Sequence, residues 1–273
     1  IKLQNGNFHW ATSTTLEGAA MAYQGIARAE YIKAGPWPEL RIPFLQSLLP
    51  IHFTVVADSG VEKLEDLDGK PFSAGIAGSG AEYFTRLTLD ALGIKPKYFM
   101  ANYTDAVQAA KEGRIVGFAK YASGLYLDAS EIDLMSAKPI RILNWTDKQM
   151  QAAMATVPGV GAYRFAANEI KPLAPHPVIN TPLSVIVEIS TSKIPQDIGY
   201  KMWKTIIDNW DAIVEVYAPA AGVDPALTAI KELQNMAKVT KIPPLHAGTV
   251  QYLVEKGIAV PKELIPPEYK PVK

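Results

Sequence analysis

Apolar positions in this chain switch between two spacings, and the switches mark the elements. The run 51–57 (Ile51, Phe53, Val55, Val56) is β-branched and apolar and ends at Asp58-Ser59-Gly60, which predicts a strand. Residues 183–189 resemble it in length and β-branching and predict a second one. Between and around them the spacing becomes helical. The sequence predicts helices over 16–31, over 84–92 with Gly93 as the stop, over 104–113 closed by glycine, and near 125–130. Further strands are expected at 97–100, 115–121 and 140–143. Ile198, Met202, Ile206, Trp210, Ile213 and Tyr217 share one helical face behind Pro195 and are assigned to core packing. Helices near 225–237 and 248–256 follow, and a proline-rich tail from 261 is expected to lie over the surface.

Strand and helix alternate throughout, which predicts an α/β protein with a largely parallel sheet and helices on both faces. Residues 157–181 carry Pro158, Pro172, Pro175 and Pro177 and are expected to be irregular. The two similar strands flank this central region, so 58–60 and 180–182 are candidate hinge ends.

Composition narrows the function. The 273 residues suffice for two α/β lobes, and 27 basic residues balance 27 acidic ones. That balance gives no basic face for nucleic acid. Without cysteine, thiol redox chemistry, thiolate metal sites and disulfides are excluded. No apolar run reaches the ~20 residues of a membrane span. The start, Ile1-Lys2-Leu3, lacks both signal-peptide features and methionine and reads as a processed or truncated end.

The richest local chemistry is Gly78-Ser79-Gly80-Ala81-Glu82, where an apolar run breaks and a helix begins. Backbone N–H groups and the Ser79 hydroxyl at such a turn suit a carboxylate or phosphate beside the positive helix end, although many strand-to-helix turns use glycine only to bend. Residues 8–17 repeat the arrangement with Thr12, Ser13, Thr14 and Thr15, where Thr14 or Thr15 also serves as an N-cap. The chain has no zinc-binding His-Glu-x-x-His, no phosphate-binding Walker sequence, no full dinucleotide fingerprint and no nucleophile elbow. His52 and His246 are assigned structural roles, and no metal or cofactor is expected.

The ordered set Phe53-Thr54-Val55-Val56-Ala57-Asp58-Ser59-Gly60, Leu64-x-x-Leu67-x-Gly69-Lys70, Gly78-Ser79-Gly80-Ala81-Glu82, Leu89-x-Ala91-Leu92-Gly93, Tyr103-Thr104-Asp105-Ala106, Lys111-Glu112-Gly113, Pro158-Gly159 leading to Tyr163, and His246-x-Gly248-x-x-x-Tyr252 resembles the TAXI-type solute receptors of TRAP transporters. The resemblance covers most of the chain. It implies a two-lobed periplasmic-binding-protein-like (type II) fold with two hinge strands, lobe one comprising 1–58 and 182–273 and lobe two 59–181. Relative to that family the chain begins inside lobe one, without the usual first strand and Gly-rich turn.

The resemblance further implies a periplasmic, monomeric, non-enzymatic receptor that hands a solute to TRAP membrane subunits. The expected solute is a small carboxylate: an amino acid, a dicarboxylate or a 2-oxoacid. Thr12, Ser13 and Thr14 are then expected to face the ligand cleft from lobe one, and Gly78, Ser79, Gly80 and Ala81 from lobe two. Lys120, Tyr121 and Ser123 add charge and an apolar face, with a solvated surface lysine as the other reading of Lys120. Tyr163 either reaches the ligand or packs. An enzyme or a sensory binding protein on the same fold is the alternative.

Overall fold

The structure, a computed structural model, describes residues 9–122, 124–173, 175–217 and 220–272. It is an α/β protein whose chain divides into two compact units. Unit one holds residues 1–48, 158–161 and 185–273, and unit two holds 49–157 and 162–184. The chain passes between them within two long strands, β3 (Leu45–Val56) and β9 (Ile179–Thr191), and again on either side of residues 158–161. Both strands are buried along nearly their whole length, which is why they read as continuous apolar runs rather than alternating ones.

In unit one, β1 (Trp10–Thr15) and β2 (Leu40–Arg41) pair antiparallel with β9, Trp10 lying opposite Ser190 and Thr15 opposite Ile186. Helix α1 (Leu16–Gln24) is capped by Thr15 and ends at Gly25, whose φ of 67° is left-handed. The single helix expected over 16–31 is therefore two, α1 and α2 (Ala29–Ala34). Edge contacts with ring centroids 5.7–6.1 Å apart join Phe44 to Trp203 and to Trp210 in the core, and the more exposed Trp10 packs on Trp203.

In unit two, β6 (Gly117–Tyr121) and β7 (Ile140–Ile142) run antiparallel to β3, with Ile51 opposite Tyr121 and Val55 opposite Arg141. The short β4 (Pro71–Phe72) and β5 (Lys97–Tyr98) pair parallel, as does a bridge from Ser73 to Phe118. Where a largely parallel sheet is expected, β1 and β2 against β9 and β6 and β7 against β3 are antiparallel, and the parallel pair β4–β5 is a separate two-stranded sheet. Strand–helix alternation says nothing about a long strand that returns against its neighbours.

Helices α3 (Gly80–Ala91), α4 (Tyr103–Lys111), α5 (Ala129–Ala137) and α6 (Asp147–Thr156) complete unit two. Helix α5 begins later than the helix expected near 125–130, because Asp128 and Glu131 form a capping box. Another, between Thr146 and Gln149, starts α6, which hydrophobic spacing alone does not reveal. Within the proline-rich region β8 (Gly161–Phe165) is regular, since its five residues lie clear of Pro158 and Pro172.

The C-terminal part belongs to unit one. Helices α7 (Gln196–Asp208) and α8 (Trp210–Val216) replace the one expected helix, and α9 (Leu227–Ala237) and α10 (Ala247–Glu255) follow. The buried face of α7 is Gly199, Trp203 and Ile207, one position along from the expected stripe, and Ile198 is exposed. The tail is strapped down: buried Arg41 forks onto Glu268 through Nε–Oε1 (2.7 Å) and Nη2–Oε2 (2.8 Å), and Gln196 exchanges two hydrogen bonds with Lys270.

Candidate functional site

The strand-to-helix turn of unit two is built by its glycines. Gly78 has φ 77°, and Ser79 N–H closes the turn onto Ile76 C=O at 2.9 Å. Ser79 is the N-cap of α3, its Oγ accepting from Glu82 N–H at 3.2 Å. Gly80 and Ala81 are the first two helical residues, so their N–H groups point out of the helix with no intrahelical acceptor. The Tyr121 hydroxyl lies against Gly80: a Cβ added there would stand 2.9 Å from it. Gly80 and Tyr121 are thus brought together.

The turn also contains an anion that sequence reasoning missed. Glu82 Oε2 accepts from Gly78 N–H at 2.6 Å, and Oε1 accepts from Arg86 Nε at 2.8 Å. The chain's own carboxylate therefore uses the Gly78 donor, leaving Gly80 N–H, Ala81 N–H and the Ser79 O–H. The signal was present as Glu82-x-x-x-Arg86, an i,i+4 pair on the helix start.

Lys120 is neither a free cation nor a solvated surface lysine. Its Nζ is ion-paired with Asp128, donates to Ser130 Oγ at 2.7 Å and lies 4.2 Å from the Tyr103 ring centroid. Behind it lies a fully buried network. Glu131 Oε1 takes hydrogen bonds from His52 Nδ1 (2.9 Å) and Thr54 Oγ1 (2.6 Å), and Oε2 takes one from Asp128 N–H (2.9 Å). Burial pushes the Glu131 carboxyl up, but His52 and these hydrogen bonds outweigh it and hold the group below its usual value. Burial, with Asp128 and Glu131 nearby, pushes the Tyr103 phenol well up.

Tyr163 donates to Glu169 Oε1 at 3.2 Å and sits 4.7 Å from the Phe165 ring, packed on the unit-two core. Its position is that of the packing alternative. Ser123 lies outside the described residues. In unit one, Thr12, Ser13 and Thr14 are on β1 where its register with β9 shifts between Ala11 and Thr14. Such a bulge re-aims side chains. Thr12 is exposed, and Thr14 borders a small cavity with Gly18, Ala22 and Trp37. The side chain of Ser13 lies outside what the structure describes. Among the described residues, no group of three or more His, Asp or Glu is placed to hold a metal, and no helix is long and apolar enough to cross a membrane.

The His246-x-Gly248-x-x-x-Tyr252 motif proves architectural. His246 caps α10, Nδ1 accepting from Gly248 N–H (3.0 Å) while Nε2 donates to Ile194 C=O (3.1 Å). Tyr252 donates to Asp208 at 2.8 Å.

The chain resembles several solved structures. XAC2383 from Xanthomonas citri, solved with ATP bound, is 14% identical, with 93% of this chain and 78% of that one covered and a TM-score of 0.48. The periplasmic aliphatic sulphonate binding protein SsuA from Escherichia coli is also 14% identical, over 96% and 79% of the two chains, with a TM-score of 0.40. At those scores and identities neither likeness bears on what this chain binds. No curated protein matches the sequence. A family model does match residues 1–257, most of the chain, and by that match the chain belongs to the NMT1-like family.

Proposed function

We propose that this protein is a solute-binding receptor that works outside the inner membrane and delivers a small carboxylate to a membrane transporter. The observation that carries the reading is the α3 turn, where Gly80 N–H, Ala81 N–H and the Ser79 hydroxyl offer donors beside the Tyr121 hydroxyl. Gly80 keeps that space open. A helix start of this kind favours negative charge, and a carboxylate gains charge-assisted hydrogen bonds from each donor. Thr12 and Thr14 are the proposed ligand groups of unit one. Because Lys120 is balanced by Asp128, its proposed part is to hold the Tyr103 and Tyr121 side of unit two in place.

The transporter partner is proposed to be of the TRAP type, on the ordered motifs shared with TAXI receptors. Native mass spectrometry of the purified chain, followed by calorimetric titration with amino acids, dicarboxylates and 2-oxoacids, tests the ligand. One such acid is expected to bind without turnover, and Ser79→Ala should weaken it roughly ten- to hundredfold, the worth of one hydrogen bond to a charged group. No binding by any acid on folded protein refutes the carboxylate reading. Reconstitution with TRAP membrane subunits and, separately, with an ABC importer decides the partner: solute uptake with the ABC importer alone would overturn the TRAP assignment.

A further inference from the structure

Strand β7 borders a cavity of about 620 Å³ that lies within unit two, away from the Ser79 turn. Its origin is legible in the backbone. Ala57 N–H donates to Pro139 C=O at 2.8 Å and Leu143 N–H to Phe53 C=O at 2.9 Å, so residues 139, 141 and 143 turn toward β3 and Ile140 and Ile142 turn away. On the far side the chain runs through Pro172, Pro175 and Pro177, which have no N–H to donate. The two segments meet only further along, where Trp145 N–H reaches Asn180 C=O (3.0 Å) and Asn180 N–H reaches Asn144 Oδ1 (2.8 Å). The wedge between them stays open because prolines prevent it from zipping.

The lining is largely aliphatic (Met135, Ile140, Leu173, Ile179), with Arg141, Glu62 and Asn144 as its polar members beside His176. Arg141 Nη1 is anchored on Val61 C=O at 2.9 Å, which leaves the rest of its guanidinium fork to be met. The acidic group nearest it is Glu62, 4.0 Å away and 79% exposed against 38% for Arg141. Both ring nitrogens of His176, another lining residue, are engaged, with Ile170 N–H and Pro177 C=O. A volume of this size, with largely apolar walls and a few polar groups of which Arg141 is the cation, has the build of a small-molecule site. Addition of a peptide strand is disfavoured, since β7 is short, begins after proline and carries a charge at its centre.

We propose that this cavity binds a small lipophilic carboxylate, its hydrocarbon along Met135, Leu173 and Ile179 and its carboxylate on Arg141. The inference stands independently of the solute site at Ser79. The test is calorimetric titration of the full chain with octanoate, octylammonium and 1-octanol. Octanoate is expected to bind at least about tenfold tighter than the other two, Arg141→Gln to remove about tenfold, and Glu62→Gln to strengthen binding a few-fold by releasing the guanidinium. Ser79→Ala is expected to leave octanoate binding unchanged. Equal binding of octanol, no binding of octanoate, or loss of binding in Ser79→Ala overturns the proposal, as does an Arg141→Gln protein that binds like wild type. If Arg141→Gln does not fold, Glu62→Gln decides: absence of any gain overturns it.

Discussion

Replacing Gly199 by alanine should destabilise this protein, although the same change in most helix interiors does the opposite. Gly199 lies inside α7, where alanine is worth about 1 kcal/mol over glycine by helix propensity and by restricting the unfolded chain. Here, however, a Cβ would stand 2.1 Å from His246 Cε1 and 2.5 Å from Nδ1. The imidazole has nowhere easy to go: it is 1% exposed, packs edge-on to Trp203 at 6.1 Å, and holds Gly248 N–H and Ile194 C=O. Overpacking costs about 1–3 kcal/mol, and displacing the ring forfeits two buried hydrogen bonds at about 1 kcal/mol each. Set against the propensity gain, the net loss is roughly 2–4 kcal/mol. Urea unfolding followed by tryptophan fluorescence reads it, because Trp203 reports on this contact. The double-mutant cycle sharpens the test. In a His246→Ala background the space exists, and Gly199→Ala should there be neutral or stabilising by up to about 1 kcal/mol. A Gly199→Ala protein as stable as wild type, or destabilised equally in both backgrounds, would refute the reasoning.

Acid should weaken unit one before unit two. Burial, the dominant effect, holds His246 below its ordinary 6.5, so the unfolded chain takes up that proton first and stability falls as pH drops below 6.5 toward the folded value. Glu131 is held below 4.5, so its contribution is present above 4.5 and is lost only as pH falls through its folded value. Measured as urea midpoint against pH, His246→Asn, which keeps an N-cap, should flatten the first decline and leave the second; an unchanged profile contradicts the assignment. Glu268→Gln unpairs Arg41, whose side chain is 4% exposed; with Glu268 itself 33% exposed, the expected loss is roughly 1–3 kcal/mol in the same assay, and protease cleavage of the freed tail should accelerate. Glu82→Gln removes a like charge from the α3 turn and should tighten a bound carboxylate by about fivefold, roughly 1 kcal/mol; weaker binding in calorimetry would mean that Glu82 instead holds the turn in its binding shape.

The sequence by itself determined the local elements. Hydrophobic spacing and cap chemistry placed β3, α3, α4, β6 and β9, because a helix start such as Ser79 to Glu82 is decided within four residues. It also located the Gly-Ser-Gly turn, whereas the approach of Tyr121 to Gly80 is known only from the folded chain. What it left undecided involves residues far apart in the chain. Lys120 reads as an available cation until folding sets it against Asp128. His52 and Glu131 are separated by 79 positions and Arg41 and Glu268 by 227, so no periodicity links them. The buried face of α7 shifted by one residue because Gly199, the residue without a side chain, is where His246 enters. Strand direction was likewise a tertiary outcome. Alternation records that strands and helices take turns, whereas hydrogen bonding between β3 and its neighbours is settled only when the long strands fold back against each other.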